Sequence, residues 1–105
     1  MRVADVVLDD IVRGDMDRLR GEYPQIDSAV EGLANSLRLL GHKLPHKPIR
    51  EGLQLYAIGM DYRPLKSAGK NLFLVTYHAT PWVGSSPNAP TRTITLLTIT
   101  LRLLN

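Results

Sequence analysis

The chain has 105 residues, of which 44% are hydrophobic and 22% charged, and this balance predicts one globular domain over residues 1–105 with a single modest core. It contains no cysteine, which excludes disulfides, thiolate metal sites and cysteine nucleophiles. No apolar run approaches the roughly 20 residues of a membrane span, and the acidic start MRVADVVLDD does not resemble an export signal. We therefore expect a cytoplasmic protein with no membrane partner.

The charges are divided unevenly along the chain. Residues 1–37 carry four arginines and eight acidic residues, whereas residues 38–105 carry nine lysines and arginines and two acidic residues. A basic half of this kind suits a nucleic acid or an acidic partner protein. An unevenly charged, merely solvated surface is the alternative.

The first elements are a strand and a short helix. Residues 3–8 (VADVVL) are apolar and β-branched, which predicts a strand. Asp9 and Asp10 follow with the short carboxylates that cap helix N-termini. Apolar residues then recur at helical spacing from Val12, so we expect a helix that ends near Arg20.

A second helix begins at Pro24, since proline is tolerated in a first helical turn. Apolar residues then recur at steps of four, three, four and three, which predicts one apolar stripe on a helix of about 16 residues. The stripe consists of Ile26, Val30, Leu33, Leu37 and Leu40. Gly41 ends this helix.

The second half of the chain predicts strands. Residues 42–52 (HKLPHKPIREG) contain two prolines, which indicates an extended linker. Strand-like segments follow at 53–62, 72–79 and 91–104, separated by a turn at 67–71 and a long loop at 80–90. The resulting order β-α-α-β-β-β predicts an α+β fold, with a helical hairpin packed on a small, mainly antiparallel sheet. The first strand pairs either at an edge or in the middle.

The alternation of the last strand contains a slip. Ile94 and Leu96 share one face, whereas Leu97, Ile99 and Leu101 share the other. A β-bulge at the adjacent leucines would reunite the two halves on one face. A central strand covered on both faces is the simpler alternative.

Tyr77 and His78 are adjacent in a predicted strand, so they lie on opposite faces. Tyr77 shares its face with Phe73 and Val75, which predicts a core position. His78 is a candidate for proton transfer, and a half-buried structural histidine is the alternative. Asp61 is a possible base, although a partner for Arg63 or a turn residue fits it better.

Three further residues invite a functional interpretation. His42 and His46 lie four apart, but Pro45 breaks the helix that would bring them together, so we expect no metal site. Trp82 is the only tryptophan and lies in the long loop. It is either an exposed stacking or partner anchor, or a lid folded back on the core.

The whole pattern resembles the RelE/ParE superfamily of toxins from bacterial toxin–antitoxin modules. An acid-flanked helix (LDDIVRGDMDRL) follows the opening strand, and a helix with a leucine stripe (YPQIDSAVEGLANSLRLLG) follows that. An arginine-bearing strand (LYAIGMDYRPL), an apolar strand (NLFLVTYHAT) and a last strand ending near an arginine (TITLLTITLRLLN) complete the likeness.

The resemblance implies a ribosome-dependent mRNA endoribonuclease that needs no cofactor. Cleavage by a ribose 2′-oxygen requires a base, an acid and cations for the charge that develops on phosphorus. The candidate catalytic residues are Arg63, Arg92, His78 and Arg102, and the candidate phosphate-binding residues are Lys66, Lys70, Arg63 and Arg92. Arginine suits a phosphate clamp because its guanidinium is bidentate and always charged.

The chain departs from the family's ribonucleases at its end. Those enzymes usually place a Tyr or His just after the last strand, whereas this sequence ends RLLN. The departure leaves open a ParE-like toxin that inhibits DNA gyrase, or an inactive relative that only binds protein. An α+β domain unrelated to toxins is a third alternative.

The resemblance also implies a protein partner, a cognate antitoxin encoded by a neighbouring gene. Such a partner lays a strand or a helix on the toxin. The candidate partner-binding residues are Leu33, Leu37, Leu40 and Trp82. The target is then the ribosome with its mRNA, or DNA gyrase, and the pattern is compatible with a homo-oligomer.

Overall fold

The computed structural model describes residues 3–40, 46–84 and 91–102. Its strands are β1 (Val3–Leu8), β2 (Lys47–Arg50), β3 (Leu55–Met60), β4 (Phe73–Ala79) and β5 (Thr91–Leu101), and its helices are α1 (Asp10–Leu19) and α2 (Ile26–Leu40). The predicted α+β fold is confirmed. Within these ranges no helix is long and apolar enough to cross a membrane.

The strands form one sheet in the order β1-β5-β4-β3-β2. β1 runs parallel to β5, and the other neighbouring pairs are antiparallel. The first strand therefore lies at an edge. The sheet is mainly antiparallel, as predicted. In the chain, the two helices lie between β1 and β2, which form opposite edges of the sheet.

The predicted linker contains a strand that the sequence analysis did not identify. Lys47 lies opposite Ala57 and Pro48 opposite Tyr56, so β2 pairs with β3. Proline is tolerated here because β2 is an edge strand. The extended geometry expected of residues 46–50 is confirmed, whereas Gly41 and the start of the linker lie outside the described residues.

The slip in the last strand is a β-bulge. Tyr77 lies opposite Leu96, whereas Thr76 lies opposite Thr98, which leaves Leu97 as the extra residue. The apolar residues before and after the bulge consequently face the same side of the sheet. Those buried there are Ile94, Leu96 and Ile99. The alternative of a strand covered on both faces is wrong.

Both helices pack on one face of the sheet, and the core lies between these two layers. The Asp9 carboxylate accepts a hydrogen bond from the Ile11 N–H at 3.1 Å, so the predicted cap of α1 is confirmed. The α2 stripe is buried from Ile26 to Leu37, but Leu40 at the helix end is 49% exposed. We call the sheet face without helices the open face.

An aromatic cluster joins the helical hairpin to the turn between β3 and β4. The Tyr23 ring meets those of Tyr62 and Phe73 edge-on, with centroids 5.3 and 5.1 Å away. The Tyr62 hydroxyl accepts a hydrogen bond from the Gln25 N–H at 3.1 Å. Edge-to-face pairs of this kind contribute beyond the area they bury, so the cluster holds α2 and the β3–β4 turn together.

A buried carboxylate on α1 completes the sheet where β1 ends. Asp15 is only 8% exposed, and its carboxylate accepts a hydrogen bond from the Ile99 N–H at 2.9 Å. The Arg18 guanidinium contacts the other carboxylate oxygen. β1 stops opposite Leu96, so Asp15 supplies the acceptor that a longer strand would have offered to a buried amide.

Replacing Asp15 by Ala is therefore expected to lower the free energy of unfolding by about 1–3 kcal/mol, because a buried N–H loses its acceptor. Asp15→Asn retains an oxygen acceptor and should lose less. Urea denaturation followed by circular dichroism measures both variants. Asp17→Ala is the control, since that side chain is 72% exposed. An equal loss for Asp15→Ala and Asp17→Ala would contradict the role of Asp15.

Candidate phosphate-binding cleft

A cleft of about 820 Å³ opens along the edge of β3. β2 covers only the first half of that edge, with Lys47 opposite Ala57 as its last pair. Beyond it, within the described residues, the backbone from Ile58 to Met60 has β4 as its only strand neighbour. The cleft lies between this edge and α2.

Small residues on both walls make room for the cleft. On the helix side Ala29 and Gly32 line it, and on the strand side Ala57 and Gly59 do. Leu33 adds an apolar patch to the helix wall. The polar and charged residues that line the strand side and the ends are His46, Lys47, Asp61, Arg63, Asn71 and Arg102.

The cleft has an excess of positive charge. Lys47, Arg63 and Arg102 line it, and Asp61 is the one carboxylate among its lining residues in the described part of the chain. That carboxylate accepts a hydrogen bond from the Asn71 N–H at 2.6 Å. Asp61 is thus a turn residue, as the sequence analysis favoured over a role as base.

Two of the four predicted catalytic residues meet in this cleft. Arg63 begins a 3₁₀ turn three residues after the end of β3. Arg102 follows β5, and its backbone N–H donates to the Leu72 carbonyl at 2.8 Å. Both side chains are exposed. The segments that follow β3 and β5 therefore each contribute an arginine to the lining of the cleft.

Arg92 lies at the opposite end of the sheet. It pairs with Ala4 at the start of β5, ten positions before Arg102, and ten strand residues span about 30 Å. Of the two arginines predicted to bind phosphate, Arg63 therefore lines the cleft and Arg92 does not. The Arg92 Nε donates to the Thr80 carbonyl at 2.8 Å.

Trp82 is a lid on the core. Its ring is half-buried and packs against the hydrophobic cluster. The Arg92 guanidinium lies over it, 4.7 Å from the ring centroid, a distance at which a cation–π interaction is favourable. Of the two alternatives for this residue, the structure therefore favours the lid.

The structure separates the adjacent Tyr77 and His78 as predicted. Tyr77 is fully buried on the helix face and stacks on Tyr56, with ring centroids 5.5 Å apart. His78 is half-buried on the open face, opposite Leu55 and Thr95. It does not line the cleft.

The remaining candidates fall into two groups. Lys66 and Lys70 are exposed in the turn that Arg63 begins, outside the lining of the cleft. Leu33 and Leu37 are 9% and 0% exposed, because the α2 stripe packs on the sheet. Their predicted contact with a partner is corrected to a core role, although Leu33 also borders the cleft.

Of the two histidines in the predicted linker, the structure describes His46. His46 lines the cleft, with its ring edge-on to Tyr56 at 5.4 Å. His42 lies outside the described residues. Among the residues that the structure describes, no group of three His, Cys, Asp or Glu residues could hold a metal ion.

The sequence analysis missed His46, Lys47 and Asn71 as lining residues. The signal for the first two was the net positive charge of the linker, but their place depends on β2, which was not predicted. The signal for Asn71 was its position in the turn sequence SAGKN, two residues after a glycine.

No family model matches the chain, and neither the curated proteins nor the solved structures gave a match.

Burial raises the pKa of the Tyr77 phenol from 10 to about 12. The unfolded chain releases this proton near its ordinary pKa, while the folded chain retains it. The contribution of Tyr77 to stability is thus complete below pH 10 and is lost as the pH rises towards about 12.

We expect the difference in unfolding free energy between the wild type and Tyr77→Phe to shrink over this pH range. Urea denaturation at several pH values between 10 and 12 measures it. Tyr23→Phe is the control that should retain the wild-type decline, since Tyr23 packs on Tyr62 and Phe73 and does not contribute to the raised pKa of Tyr77. Parallel curves for the wild type and Tyr77→Phe would contradict the buried, neutral phenol.

Proposed function

We propose that the protein is the toxin of a type II toxin–antitoxin module and that it binds RNA in the cleft beside β3. The observation that carries the proposal is the convergence of Lys47, Arg63 and Arg102 on one cleft whose single described carboxylate, Asp61, is engaged by a backbone amide. The β-α-α order of the first half and the following meander agree with the resemblance to the RelE/ParE superfamily.

The chemistry of the cleft suits a phosphodiester. Arg63 and Arg102 each present a planar set of donors, which bind phosphate oxygens in pairs. Lys47, on the neighbouring strand, adds a point charge for the next phosphate along the backbone. The same cations would stabilise the charge that develops on phosphorus during cleavage.

His46 replaces His78 as the candidate for proton transfer in this proposal. It is the imidazole that lines the cleft within the described residues, and imidazole is the side chain most often used as a general acid or base. His78 lies on the open face, away from the arginines of the cleft.

A ParE-like protein that inhibits DNA gyrase without cleaving RNA is the second candidate function. A positive cleft also suits an acidic protein surface.

The proposal includes an antitoxin partner and a cytoplasmic location. The apolar side chains at the end of α2 offer a contact for that partner, since Leu39 is 84% and Leu40 49% exposed. The turn region of Leu65, which is 45% exposed, is a further apolar contact. The proposed contact with the antitoxin does not involve Trp82 or Leu37.

Pulse labelling after induced expression in a bacterial host tests the proposal. Amino-acid and thymidine incorporation are followed in parallel for the wild type, the double variant Arg63→Ala/Arg102→Ala and the control Arg38→Ala, which removes an arginine outside the cleft. Arg38 is exposed on the far side of α2 from the cleft, where it donates to Asn35.

We expect an early fall in amino-acid incorporation with the wild type and Arg38→Ala, but not with the double variant. An early fall in thymidine incorporation instead would support the gyrase alternative. Unchanged growth and labelling with folded protein would contradict the toxin proposal.

Binding of single-stranded RNA is expected to depend on salt with a slope of log K against log salt of about −2, since each of three phosphate contacts contributes about −0.7. Replacing Lys47, Arg63 or Arg102 by Ala should reduce the slope by about 0.7. Fluorescence anisotropy over a salt series measures this. If Arg38→Ala changed the slope as much as Arg63→Ala does, the cleft would not be the site.

A further inference from the structure

We infer that Asn71 is an additional ligand-binding residue of the cleft, whose carboxamide donates a hydrogen bond to a phosphate held by Arg63 and Arg102. The inference rests on the proposed function of the cleft and names a residue that the charge pattern alone did not indicate.

The backbone of Asn71 is held in one conformation. Its φ is 51°, in the left-handed region that asparagine and glycine tolerate best. Its N–H donates to the Asp61 carboxylate at 2.6 Å. The carboxylate that follows β3 thus fixes Asn71, two positions before β4.

The side chain of Asn71 lies against a glycine of β3. A Cβ built on Gly59 would lie 2.5 Å from the Asn71 Oδ1 and 3.3 Å from its Cβ. The carboxamide therefore occupies the space that any side chain at position 59 would need. Gly59 is required here by this close approach, not by its own backbone conformation.

Asn71 belongs to the same cleft as the two arginines. Asn71, Arg63 and Arg102 all line it, and the Arg102 N–H is bonded to Leu72, the residue next to Asn71. Within the described residues the Asn71 side chain makes no hydrogen bond to protein. Its two N–H donors are thus available to a ligand.

A neutral donor in this place complements the arginines. Asparagine offers two N–H groups and a carbonyl oxygen, so it can hydrogen-bond a phosphate oxygen without adding charge. Its fixed backbone and its contact with Gly59 restrict the side chain before binding, which reduces the entropy lost when a ligand binds.

Asn71 could instead serve only the turn, because asparagine is a common choice for a positive φ. Asn71→Gly separates the two roles. Glycine accepts the same backbone conformation but removes the carboxamide, so a purely structural asparagine would be replaced without loss of binding.

Fluorescence anisotropy with a short single-stranded oligoribonucleotide at fixed salt tests the inference. We expect Asn71→Gly to bind about tenfold more weakly than the wild type, the loss of one hydrogen bond to a charged group. Gly59→Ala keeps every polar group but displaces the carboxamide, so it should weaken binding as well. Arg38→Ala should bind as the wild type does.

Wild-type affinity in Asn71→Gly would overturn the inference while leaving the cleft intact, provided that Arg63→Ala still weakens binding. If Asn71→Gly fails to fold, Asn71→Asp decides. Aspartate keeps the shape and tolerates the backbone but repels phosphate, so undiminished binding by Asn71→Asp overturns the inference. No RNA binding by the wild type would overturn the proposed function, and this inference with it.

Discussion

The hydrogen bond from the Ile99 amide to Asp15 is the contact on which the arrangement of this domain depends. β5 is the longest strand, with 11 residues, and β1 has only six. Beyond Leu96 one side of β5 therefore has no strand beside it, and its buried N–H needs another acceptor. A carboxylate from α1 meets this need, so helix and strand are held in a fixed relation.

The bulge at Leu97 belongs to the same arrangement. The bulge lies between Leu96, the last residue that pairs with β1, and Ile99, whose N–H donates a hydrogen bond to Asp15. Because one extra residue restores the phase of a strand, Leu96 and Ile99 can both face the helices. After the bulge, β5 continues to Leu101 and places Arg102 beside the turn between β3 and β4.

The length of β5 also separates Arg92 and Arg102, which both belong to the basic second half of the chain but lie at opposite ends of the strand. At the start of β5, the Arg92 guanidinium lies over the Trp82 ring and donates a hydrogen bond to the Thr80 carbonyl, so this end of the strand stabilises residues 80–82. At its far end Arg102 meets Arg63 in the cleft. A basic second half of the chain is thus divided between a structural contact and a candidate site.

Much of the fold followed from local patterns in the sequence. The apolar spacing of α2 from Ile26 to Leu37 and the cap at Asp9 each depend on neighbours in the chain, and both predictions are confirmed. The paired leucines at 96 and 97 left two alternatives open, and the structure has the bulge. β2 was missed because its four residues are all exposed, so they show no alternation, and Pro48 argued against a strand.

The site was harder to predict because it depends on distances through the fold. Asp15 looks like the other acids of α1, and only the end of β1 makes it a buried acceptor. Arg63 and Arg92 looked equivalent until strand lengths placed them at opposite ends. Lys47 lines the cleft as the first residue of β2, a strand that was not predicted. Asn71 fits there because Gly59 lacks a side chain. No local pattern in the sequence indicates either position.

The most direct test of the account is a titration of the isotopically labelled protein with a short single-stranded RNA, followed by amide and side-chain NMR shifts. The account predicts changes confined to the cleft, at Lys47, residues 57–61, Asn71, the side chains of Arg63 and Arg102, and the facing turn of α2. Shifts centred on Arg92 and Trp82, or spread over the open face, would contradict the assignment of the cleft as the RNA site.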